Sequence, residues 1–132
     1  MKKQIEEMIP RAIDVANKII ANKDGKISNQ FNGYISSFGA AVITSGLIPA
    51  VAFFTAEKSR AEEEREKIPI ALYYIALKKS EQPNCDNSKI LLNELLKNKS
   101  NIESFKNKII DASIALKLAI RTFKLVEKDS KG

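Results

Sequence analysis

Apolar residues at Ile5, Met8, Ile9, Ala12, Ile13, Ala16, Ile19 and Ile20 recur at the i, i+3, i+4, i+7 spacing of an amphipathic helix. Pro10 interrupts that pattern, so the helix either kinks there or starts near Ile9. The string Asn22-Lys23-Asp24-Gly25 ends it, with Gly25 as the closing residue. Periodicity then gives way to a run without any charge, Ile27 to Ala56. Gly39, Thr44, Ser45, Gly46 and Pro49 break this run. The spacing predicts two helices, about 27–45 and 47–59. Gly46 closes the first in the left-handed region, and Pro49 sits in the first turn of the second, where its missing N–H is harmless. Gly33 and Gly39 are weak helix formers, and with Ala40 they place small side chains close together. They predict a close approach by another helix backbone.

The stretch 57–67, EKSRAEEEREK, has no apolar stripe and reads as a brief helical continuation followed by a solvated loop. Pro69 opens a fourth helix with Leu72, Tyr73, Ile75, Ala76 and Leu77 as its apolar set. It stops before the turn-rich Ser80-Glu81-Gln82-Pro83-Asn84. Asp86, Asn87 or Ser88 caps a fifth helix whose core face is Leu91, Leu92, Leu95 and Leu96. Ser100-Asn101-Ile102-Glu103 matches a capping box. It introduces a last helix from about Asn101 to Lys128, with Phe105, Ile109, Ala112, Leu116, Ala119, Ile120, Phe123 and Val126 inward and Ile114, Leu118 and Leu125 besides. So wide an apolar arc predicts the centre of a bundle. No stretch shows the sustained alternation of a strand. The expectation is an all-α fold: one domain over 1–132, a compact bundle of five to six helices with a long central C-terminal helix.

The uncharged run is long enough to cross a bilayer, since about 20 apolar residues suffice. Its internal breaks leave each half too short and favour a buried helical pair. The reading of a membrane-associated protein inserting Phe38–Phe54 stands as an alternative. The N-terminal MKKQIEEMIPRAIDV mixes Glu6, Glu7, Arg11 and Asp14 into its apolar positions and is not read as a secretory signal. One cysteine, Cys85, excludes an internal disulfide and fits a reducing, cytoplasmic setting.

Histidine is absent. That removes the commonest general base and the commonest metal ligand together. No phosphate-binding glycine loop and no nucleophile elbow is present. Glu62, Glu63, Glu64 and Glu66 read as a solvated turn rather than a metal site. No catalytic residue, metal, cofactor or small-molecule substrate is expected.

Net charge is +6, which permits phosphate contact without demanding it. On the last helix Lys106, Lys117, Arg121, Lys124 and Lys128 fall within roughly 60° of one another when wound at about 100° per residue. Ser113 and Ile110 share the stripe. A basic stripe can track a phosphate backbone, or it can be simply the solvated face of a central helix. Lys18, Lys23, Lys26, Lys58 and Arg60 are further basic positions near helix ends. Tyr34, Tyr73 and Tyr74 could stack on bases, although at such spacing tyrosines are more often core-edge residues. Phe53 and Phe54, beside Leu47 and Ile48, suit a core or a partner interface.

The blocks Tyr34-Ile35-Ser36-Ser37-Phe38, Ser45-Gly46-Leu47-Ile48-Pro49-Ala50-Val51-Ala52-Phe53-Phe54 and Glu57-Lys58-Ser59, with the basic segment Ala115–Lys128, resemble the small helical subunit of the Cmr complex, the type III-B CRISPR RNA-targeting effector. Pro49 and the acidic run Glu62–Glu66 depart from that pattern. The resemblance implies a non-catalytic assembly subunit. Copies would stack beside the guide-bearing backbone, pack against the large subunit, and line the groove holding guide and target RNA. Lys58 then becomes the first RNA-contacting residue, with Lys117, Arg121 and Lys124 on the C-terminal stripe and Lys18 as a further member. The competing reading is a helical protein–protein adaptor or antitoxin-like module without RNA binding.

Overall fold

The computed structural model describes residues 3–56 and 64–127. Six α-helices lie among them: α1 Lys3–Val15, α2 Gln30–Ser45, α3 Leu47–Thr55, α4 Lys67–Ala76, α5 Ile90–Lys97 and α6 Ile102–Ile120. Two three-residue strands, β1 Lys26–Ser28 and β2 Lys124–Val126, pair in parallel. The helical class is as the periodicity predicts. The strands are not, because three residues are too few for alternation to register.

α1 runs through Pro10, which faces solvent, and passes without a break into a π-helical turn, Ala16–Ile20. Its wider ring is closed by the Ala21 amide, which donates to the Ala16 carbonyl at 2.8 Å. The α2–α3 junction follows the predicted chemistry. Gly46 adopts φ +97°, a backbone region that side chains with a Cβ avoid. Its amide donates to Val42 and its carbonyl accepts from Ala50, so one residue closes one helix and opens the next. Phe38 and Phe54 meet edge-to-face across the pair, with ring centroids 5.3 Å apart.

The buried residues form one cluster. α6 packs on α1, α2 and α4, while α3 bridges α2 and α5. The most enclosed helix is α4, not α6: every residue from Ile68 to Ala76 is buried. The signal for this was present in the uncharged string Ile68–Leu77, which is apolar all round rather than striped.

Several local expectations are corrected. α6 stops at Ile120, eight positions before Lys128. The Thr122 hydroxyl donates to the Ala119 carbonyl at 2.7 Å, and the Thr122 and Phe123 amides fold back on Ala119 and Ile120. This local competition tightens the last turn, after which β1 supplies backbone partners to β2. No backbone approaches Gly33 or Gly39; a Cβ at either would meet nothing within 4 Å. Ala40 is exposed. The capping box at Ser100 does not form. Asn98 turns back onto Glu94, and Ser100 lies within a 3₁₀ turn, Lys99–Asn101, that runs directly into α6. α5 starts one residue after Lys89, with the Asn87 side chain accepting from the Lys89 amide instead of capping the helix. Leu91 and Leu95 are buried, Leu92 is half-buried and Leu96 is exposed. α3 ends at Thr55. The continuation to Ser59, together with Lys58, Arg60, Glu62, Glu63 and Lys128, lies outside the described residues.

Candidate nucleic-acid and partner surfaces

The basic stripe predicted on α6 is not one continuous solvated face. Ser113 is buried and donates to the Ile110 carbonyl at 2.7 Å. Lys106, Ile110 and Lys117 are half-buried. α2 lies against α6, and the Lys117 ammonium donates to the Ser36 hydroxyl across that contact. The outward side of α6 instead carries Ser104, Asn107, Lys108 and Ile114.

Each cation expected to meet RNA therefore has its own setting. Lys117 projects from α6 toward α2. Arg121 is exposed at the cap of α6, one helical turn further on. Lys124 is exposed, but it stands on β2 rather than on the helix. Register places it directly beside Lys26 of β1, a neighbour that no helical wheel could reveal. Lys18 lies on the π-turn, pairs with Asp14 at 3.3 Å and donates to the Gln82 side chain at 3.0 Å. Asp14 and Asn17 share an open cleft with Thr122 and Phe123, so the π-turn and the turn after α6 are neighbours. Neither Lys18 nor Arg121 lines that cleft, although Asp14, the partner of Lys18, does, and Lys117 leans toward α2.

Arg11, unremarked in the periodicity, does structural work. Its side chain is only 17% exposed and pairs with Asp14. The guanidinium donates to the carbonyls of Tyr74 at 3.2 Å, Lys78 at 2.9 Å and Glu81 at 2.6 Å. These carbonyls belong to the end of α4 and the loop behind it, where helix C-termini leave acceptors without intrahelical donors. A guanidinium with five rigid donors fits that task as a lysine would not.

Tyr73 and Tyr74 are buried and meet edge-to-face at 5.2 Å, so neither is a platform for an RNA base. Burial raises the Tyr73 hydroxyl above the ordinary tyrosine range, with Glu81, Glu94 and Tyr74 adding to it. Tyr34 is half-buried against Phe31. Cys85 is exposed, yet its thiol is raised, first by desolvation and then by Glu66, Asp86 and Glu64, with Lys67 opposing.

Apolar surface is concentrated on a few side chains. Ile43 on α2 is 81% exposed, beside the core positions Phe31, Ile35, Phe38 and Val42 of the same helix. Phe53 on α3 is 56% exposed, and the Arg65 guanidinium lies 5.1 Å from its ring centroid. No helix among the described residues is long and apolar enough to cross a membrane. Among the same residues no group of three or more Cys, Asp or Glu could hold a metal ion.

The family described as CRISPR-associated protein (Cas_Cmr5) matches residues 6–115. The matched span contains Lys18, Lys26 and Lys58 and stops before Lys117, Arg121 and Lys124. No curated protein and no solved structure matches the chain.

Proposed function

Because this chain belongs to the Cas_Cmr5 family, the small subunits of the type III-B CRISPR (Cmr) complex, we propose that it is a non-catalytic assembly subunit acting in the cytoplasm in antiviral defence. In this reading it packs against further Cmr subunits, the large subunit and other copies of itself among them, and contacts guide and target RNA through Lys18, Lys58, Lys117, Arg121 and Lys124. The family match over residues 6–115 carries the reading. Two physical features support it. The chain has 22 basic against 16 acidic residues and no histidine, a balance suited to phosphate contact and poor in acid–base chemistry. Ile43 presents an aliphatic side chain to solvent at the end of a well-packed helix, a position suited to burial against a partner.

Lysine-dominated contact without aromatic platforms holds a phosphate backbone by charge and shape rather than by base identity. A few such contacts per copy bind weakly alone and strongly in a stacked array, because linked weak sites multiply. Reconstitution with the other Cmr subunits and a guide RNA tests the proposal. The unmodified chain should enter the assembly, and RNA affinity should fall as salt rises, by a slope of about 0.7 per single-stranded phosphate neutralised. Exchanging Lys58, Lys117, Arg121 and Lys124 for Glu should lower RNA affinity in all sequences alike. Full affinity in that variant would remove RNA contact from these residues. Failure of the unmodified chain to join Cmr subunits, with capture of an unrelated protein and no RNA, would replace the reading with a helical adaptor.

A further inference from the structure

The parallel register sets Lys26 against Lys124, Ile27 against Leu125 and Ser28 against Val126. Faces alternate along a strand, and Ile27 is fully buried with Leu125 packed on the core. The two lysines therefore share the outward face. Neighbouring strands lie about 4.8 Å apart, and like charges directly opposite destabilise a sheet. Neither ammonium has a carboxylate within ion-pair distance among the described residues. Lys23, in the loop before β1, and Arg121, in the turn before β2, add exposed positive charge; Asp24 and Glu127 are the exposed acids closest in sequence. The ladder has only three residue pairs to hold the chain's C-terminal strand to β1, and one of these is repulsive.

We propose that Lys26 and Lys124 form a phosphate clamp. One phosphate group bridges the two ammonium groups, neutralises their repulsion and fastens β2 to β1. Under the RNA-contacting reading, on which this assignment rests for its natural ligand, that phosphate is a phosphodiester of bound RNA. Lys26 then joins Lys124 as a contact residue. Binding and sheet closure become linked, since a ligand held only by the closed ladder stabilises it.

The full chain is compared with Lys26→Gln, Lys124→Gln, the double variant and the charge-retaining Lys26→Arg. Thermal unfolding is followed in sodium chloride, in inorganic phosphate at the same ionic strength, and with an oligouridine RNA. Lys26→Gln should raise the midpoint in chloride, because the repulsion is gone, and should lose the additional rise on phosphate or RNA. Lys26→Arg should keep that rise. The salt slope of RNA binding should fall by about 0.7 in Lys26→Gln, and adding Lys124→Gln should change it little further, since a bridge needs both partners. An equal phosphate-induced rise in the unmodified chain and in Lys26→Gln would overturn the clamp. RNA affinity that survives Lys26→Gln intact but falls on Lys117→Glu and Arg121→Glu would overturn it while leaving the wider RNA reading in place. A Lys26-dependent rise on inorganic phosphate, with no RNA bound by the unmodified chain, would support the clamp and reject the RNA reading.

Discussion

Arg11 joins the first helix to the end of the fourth through three backbone carbonyls. Hydrogen bonds from charged donors in a covered site contribute about 1.5–3 kcal/mol, and a donor removed leaves its acceptors stranded. Arg11→Met should therefore lower stability by about 2 kcal/mol, read as a shift in urea midpoint with an unchanged slope. Lys18→Ala, which breaks an exposed pair with Asp14, should change stability by less than about 0.5 kcal/mol. The glycines separate in sign. Gly46→Ala should cost about 1–2 kcal/mol because its φ of +97° excludes a Cβ. Gly33→Ala and Gly39→Ala, in helix with open space around them, should each add about 0.5–1 kcal/mol. The pattern at Gly46 was legible because a helix closing signal and a following proline agree on one residue. The expected packing role of Gly33 and Gly39 was not, since poor propensity has the same appearance whether a neighbour crowds the glycine or not. Tyr73 and Cys85 both hold their protons longer in the folded chain than in the unfolded one. Their contribution is therefore complete below the unfolded values and is lost as pH rises through the folded ones. Alkylation of Cys85 by iodoacetamide should accordingly reach half-maximal rate at a higher pH in the native chain than in the urea-unfolded chain.

Among the elements, α4 is the one whose burial extends all the way round. Leu72→Ala, at a fully buried position, should lower stability by about 2–5 kcal/mol. Ile43→Ser, at the other extreme of exposure, should leave thermal stability within about 0.5 kcal/mol while weakening entry into the Cmr assembly. The contrast separates side chains that hold the fold from those available to a neighbour. Helix positions were readable where period and punctuation coincide, as at the Gly46 junction of α2 and α3; at α5 the period held while the expected cap did not form, and Ile27, expected to open α2, lies in β1. Where they failed, a short-range bond had outcompeted a pattern. The Thr122 hydroxyl and the fold-back amides end α6 within a segment whose apolar spacing continues to Val126. Asn98 binds Glu94 and leaves the Ser100–Glu103 box unused. Periodicity records which residues could face a core; it does not record which backbone group reaches a partner first.

At the scale of the whole molecule, helical class and the absence of a catalytic set were argued from composition and spacing, and the family resemblance rested on the hydrophobic centre of the chain. The placement of its charges was less accessible. A helical wheel assumes one continuous cylinder, and α2 covers part of that cylinder while β2 leaves it altogether. Lys124 consequently has Lys26 as its neighbour, a residue from the opposite end of the chain. This arrangement also orders the protein's own making. Strand β1 leaves the ribosome early, yet it can find its mate only after Val126 has been translated. The packing of α1 on α6, the most extensive between helices, spans a comparable stretch of chain, so the bundle and the ladder both wait for residues 102–126. A nascent chain interrupted after Ile120 would carry the six described helices and leave Lys26 without its strand neighbour, so the paired basic edge exists only once residues 124–126 have been made.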